Sequence, residues 1–77
     1  MNQEEPIMAY KVGDLVYYVR DNETDSSKFE NGVIKKVRPD GDKAWVVYNC
    51  GGEWYSYQDY TGALTHYSNL RKGWIIQ

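Results

Sequence analysis

The chain has 77 residues, 42% of them apolar, which supports one small domain with a thin core and excludes a two-domain cleft, a dinucleotide-binding fold or multi-step catalytic machinery. A formal net charge of −2 and a pI near 5.2 count against a general polyanion binder. Eight Tyr and three Trp against a single Phe make the apolar fraction unusually aromatic.

Residues 1–9 are polar, contain Pro6 and show no period, so a loose N-terminal arm is expected ahead of one domain spanning 10–77. Met8 offers an alternative start, which would leave residues 1–7 outside the native product. A turn at Gly13-Asp14 leads into an extended run, 15–20, with Leu15, Tyr17 and Val19 on one face and Val16, Tyr18 and Arg20 on the other. Residues 21–31 form an acidic loop with Phe29 as its one anchor. A second strand is expected over 32–38, where Val33, Ile34 and Val37 do not alternate; a bulge near Lys35-Lys36 restores the register.

Pro39-Asp40-Gly41 is a tight-turn signal, and the third strand, 43–50, is the most hydrophobic piece. After Gly51-Gly52, residues 53–60 alternate, with Tyr55, Tyr57 and Asp59 opposed to Trp54, Ser56, Gln58 and Tyr60, and read as a fourth strand. A short further strand over 61–65, one helical turn over 67–70 capped by Ser68, and a last segment 74–76 complete the chain. About five short strands without a helix of ten residues define an all-β chain, and the size suits a small curled barrel better than a sandwich.

Charge is uneven: residues 1–31 carry seven acids and three bases, residues 32–77 four acids and six bases. Cys50 and His66 are the only Cys and His, so neither an internal disulfide nor a closed zinc site is expected. The acidic N-terminus lacks a signal-peptide pattern and no run reaches the length of a membrane span, so a soluble, cytoplasmic protein without cofactor or metal is expected.

Val12-Gly13-Asp14 before a strand, Gly32-x-Ile34-x-x-Val37, Trp45-Val46-Val47-Tyr48 and a closing Asn69-Leu70 resemble the SH3-like small barrels of Tudor and KOW type, over residues 11–70. Tudor members bind methylated Lys or Arg in an aromatic cage, and KOW members bind RNA or the transcription machinery. The resemblance therefore implies a cage of three or four aromatics, with Tyr18, Trp45, Tyr48 and Trp54 able to supply some of its walls. The aromatic stretch from Tyr48 to Trp74 also looks like short uncharacterised bacteriophage and prophage proteins. That likeness implies no fixed activity; for a phage-borne chain the partner would be a host factor.

Other chemistry in the sequence is thin. Asp21-x-Glu23-x-Asp25 imitates the start of a calcium loop, but Ser26 and Gly32 stand where Gly and Glu are needed. Gly51-Gly52 lacks any phosphate-loop context. Cys50 and His66 are the only nucleophile and base available, and Cys50 ends an apolar strand, so no enzyme is expected. The expected function is a binding module that takes a protein or peptide on an exposed face of Tyr18, Trp45, Tyr48, Trp54, Tyr55, Tyr57 and Tyr60. Two alternatives stand beside it: a nucleic-acid module using Lys35, Lys36, Arg38 and Lys43, and a structural homo-oligomer.

Overall fold

In the computed structural model, residues 10–38 and 41–75 are described. The arm 1–9, Pro39-Asp40 of the expected turn and Ile76 lie outside them. Five strands, β1 (Leu15–Tyr18), β2 (Glu30–Val37), β3 (Lys43–Val47), β4 (Ala63–His66) and β5 (Leu70–Lys72), form one antiparallel sheet in the order β4-β3-β2-β1-β5. Among the described residues the helical pieces are 3-10 turns at Ser26–Lys28 and Tyr67–Asn69 and two such turns joined by a kink at Ser56 within Trp54–Asp59. The chain is all-β, as its composition of short apolar runs and turn residues requires.

Alternation decides which face each strand buries. Val16, Ile34, Ala44 and Val46 point to one side and join Tyr67 and Leu70 in a single buried cluster. In a flat sheet β3 and β5 would lie about 14 Å apart, three strand spacings. Val46 and Leu70 nevertheless share one core, so the sheet curls strongly on itself. The curl has a local cause: pairing shifts by one residue between Ile34 and Lys36, the bulge expected from the broken apolar alternation.

The opposite face of the β2–β3 pair is buried too. Val33 pairs with Val47, and both are solvent-excluded. Their cover is the segment Trp54–Asp59, which packs on β2 as a 3-10 turn and not as the expected fourth strand. Side chains three apart eclipse in a 3-10 helix. Trp54 and Tyr57, three apart, and the extended Tyr60 that follows are half-buried, while Tyr55 and Gln58 stand in solvent. Lys35 Nζ donates to the Tyr60 carbonyl, and Gln58 Nε2 donates to the Lys35 carbonyl at 3.2 Å, tying the turn to the bulge.

The end of the chain also differs from expectation. His66, not Ser68, holds the N-cap position of the turn 67–69 and makes no side-chain cap bond there; the Leu70 N–H closes the turn on the Tyr67 carbonyl, and the chain enters β5, which pairs with β1. Beyond Gly73, Trp74 donates its indole N–H to the Gly32 carbonyl at 2.8 Å and meets Trp54 edge-on at 4.9 Å. Asn31 exchanges two hydrogen bonds of 2.9 Å with the backbone of Ile75, imitating a strand pair with a side chain.

Candidate functional site

Glu30 opposes Tyr18 in the β1–β2 ladder, so their side chains share a face. Tyr48 follows β3 on that same face and packs against the core cluster, meeting Tyr18 edge-to-face at 5.9 Å. Close approach makes this arrangement possible. A Cβ on Gly32 would lie 2.9 Å from the Tyr48 ring and 2.7 Å from Val46, so only glycine admits the ring here.

Two concavities adjoin at this pair. The first, about 400 Å³, is lined by Tyr18, Glu30 and Tyr48 on one side and by the whole of β4 with Asn69 on the other. The second, about 360 Å³, runs from Glu30 and Tyr48 past Phe29 and Asn49 to Trp54. Tyr48 and Glu30 belong to both, so the two make one bent groove with an aromatic wall and a carboxylate at its middle.

Hydrogen bonding fixes the Tyr48 hydroxyl. Thr65 Oγ1 donates to the Ala63 carbonyl at 3.1 Å, which leaves it to accept from Tyr48 at 3.0 Å. Burial pushes the Tyr48 phenol up to about 12, so it stays a neutral donor across the physiological range. Phe29, the anchor of the acidic loop, stacks on Tyr17 at 5.7 Å. That loop is held by its own carboxylates: Glu23 accepts from Arg20 and from the Asp25 N–H, and Asp25 accepts from Ser27. These bonds hold both carboxyls below the usual range, the Asp25 N–H being the main cause for Glu23 and the Ser27 hydroxyl for Asp25. Asp21 accepts from Asn69 at 2.8 Å.

The expected aromatic face divides into parts. Tyr18 and Tyr48 meet at the groove and Trp54 lines its second arm, but Trp45 lines neither concavity. Its neighbours Ala44 and Val46 fill the core, so Trp45 points to the other side of the sheet, where Lys36 Nζ stands 5.3 Å from its ring centre. A four-walled cage from Tyr18, Trp45, Tyr48 and Trp54 is therefore not assembled. Tyr55 is 85% exposed and away from both concavities, Tyr57 is half-buried in the 3-10 turn, and Tyr60 donates its hydroxyl to Glu53 at 3.2 Å. Of the expected basic hairpin, Lys35 is engaged with the Tyr60 carbonyl; Lys36 and Arg38 are exposed and Lys43 half-buried.

Cys50 is buried and lines neither concavity, whereas His66 is exposed, lines the first and faces Asp42 at 3.5 Å. The two are not brought together at an accessible site. Glu30, Thr65, His66 and Asn69 line the groove without being binding candidates by residue type or spacing. Their only signal is their pairing with Tyr18, Ala44, Lys43 and, through β5, β1, which a single sequence does not display. No helix among the described residues is long and apolar enough to cross a membrane. Neither a known protein family, nor a curated protein, nor a solved structure matches the chain.

Proposed function

We propose that this protein is a non-catalytic binding module that takes a peptide segment of a partner protein, a basic side chain first, in the groove walled by Tyr18 and Tyr48. One observation carries the reading: two tyrosine rings in edge contact beside the Glu30 carboxylate, at the junction of both concavities. Tyrosine rings attract a cation through their faces, and the exposed acid alongside adds a Coulombic partner. Tyr48 is held from behind by Thr65 and the core, so little side-chain order has to be gained on binding. The sheet order with a 3-10 turn between β4 and β5 is compatible with the resemblance to SH3-like barrels, a fold that serves many partners.

The test is selection of random dodecapeptides by display on the wild-type protein, followed by affinity measurement on Glu30→Lys and Lys36→Glu. Both side chains are exposed, so both variants fold. The groove reading predicts enriched peptides with a basic residue, bound at least tenfold more weakly by Glu30→Lys and unchanged by Lys36→Glu. Peptides indifferent to Glu30→Lys would overturn it.

A second reading has its own observation, the Lys36–Trp45 stack on the opposite face, which offers a charge and a ring to a single-stranded nucleic acid. That reading predicts oligonucleotide binding that falls steeply with salt and is abolished by Lys36→Glu.

A further inference from the structure

We propose that the peptide docks as an added antiparallel strand on the open edge of β4, an inference that rests on the groove reading above. The phase of β4 is fixed by one bond: the Tyr67 N–H donates to the Asp42 carbonyl at 2.8 Å, in line with the register that pairs Lys43 with His66. Hydrogen-bonded pairs alternate in an antiparallel ladder. Thr65–Ala44 and Ala63–Val46 are therefore bonded pairs, and the N–H and C=O groups of Leu64 and His66 point away from β3. No strand lies beyond β4 among the described residues.

The other edge of the sheet shows what protection looks like. On β5 the bonds from Val19 to Asn69 and from Gly73 to Leu15 turn Leu70 and Lys72 outward. There the Leu70 carbonyl already accepts from the Tyr10 hydroxyl at 3.1 Å and from Arg71 Nη1 at 3.0 Å, and two cations occupy the strand. Charge and covered carbonyls are how natural sheets prevent edge pairing. β4 reads Ala-Leu-Thr-His, with no proline, lysine or acid and with Leu64 46% exposed. All four of its residues line the groove that faces Tyr18, Tyr48 and Glu30.

The edge dictates an extended backbone, and the carboxylate dictates the charge. In an added strand, the residue opposite Thr65 projects to the Thr65 side, toward Tyr48 and Glu30, and is the basic one. The residues flanking it bond to the backbones of Leu64 and His66 and project to the other side, beside the exposed Leu64. The recognised pattern is thus a basic residue flanked by apolar ones, read with a period of two.

Peptides selected from the random dodecapeptide library are resynthesised with a single N-methyl group at each position in turn. Strand addition predicts about tenfold weaker binding when either residue flanking the basic one is methylated, and less than twofold change at the basic residue itself, whose N–H points away. Leu64→Pro, which a strand tolerates where the N–H faces outward, abolishes binding, while Leu64→Ala retains it within threefold. The N-methyl series decides the matter should the proline variant fail to fold. Binding that is lost with Glu30→Lys yet indifferent to N-methylation overturns strand addition and leaves the groove reading standing. Wild-type protein that sediments as a dimer and is dissociated by Leu64→Pro also overturns it, because the edge then belongs to a second copy. Peptides indifferent to Glu30→Lys sink the groove reading and this inference with it.

Discussion

Replacing Gly32 by alanine is the sharpest perturbation of the groove from beneath. Gly32 has no positive φ, so alanine meets no backbone strain and gains about 0.4–1 kcal/mol by restricting the unfolded chain. Against that, the new methyl would sit 2.7 Å from Val46 Cγ1, 2.9 Å from the Tyr48 ring and 2.9 Å from the Val47 carbonyl oxygen. Val46 is fully buried and the carbonyl is backbone, so neither swings aside. The ring at the groove is the group that moves. Overpacking of this kind costs about 1–3 kcal/mol, leaving a net loss of about 1–2 kcal/mol. For a domain of this size that lowers Tm by about 5–15 °C. Thermal unfolding by circular dichroism reads the loss, and proton NMR reads the Tyr18–Tyr48 ring contact, which weakens. A variant as stable as wild type with the ring contact intact would refute the packing argument.

Three further outcomes are expected. Trp74→Phe keeps an aromatic ring against Trp54 but removes the donor to the Gly32 carbonyl, and denaturant unfolding shows a loss of about 1 kcal/mol; an unchanged midpoint contradicts it. Tyr55→Ser leaves stability within about 0.5 kcal/mol because its ring touches mainly water, and a larger loss would mean the ring is packed. Burial raises the Tyr48 phenol from its ordinary 10.0 to about 12, so its stabilising contribution is complete below pH 10 and is lost as pH rises through 12. Between pH 10 and 12 the wild type therefore loses more stability in denaturant titrations than Tyr48→Phe does, and parallel curves would contradict this.

The first strand was legible because its apolar residues alternate, the third because it is a continuous apolar run between turn signals, and the bulge in the second because Val33, Ile34 and Val37 break alternation. Residues 53–60 misled for a physical reason. Their aromatics alternate with polar residues at period two, but Trp54 and Tyr57 also stand three apart, the period of a 3-10 turn, and the segment folds as two such turns joined by a kink at Ser56. The tight glycine turn ahead, with φ of 63° and 85° at Gly51 and Gly52, delivers the segment onto the sheet face rather than its edge. Tyr18, Tyr48 and Trp54 were recognisable by type as candidates for an aromatic face. Trp45 fell on the far face because one residue of register separates the two sides of a strand. Glu30 is an unremarkable acid in the sequence and gains its place only through pairing with Tyr18.

The central claim, that the junction of Tyr18, Glu30 and Tyr48 is the binding site, is tested most directly by amide NMR mapping with a display-selected peptide. The account predicts shifts centred on Tyr18, Glu30, Tyr48 and the β4 residues 63–66, with Lys36 unmoved. Shifts centred on Lys36, Lys43 and Trp45 would contradict it and move the site to the opposite face of the sheet.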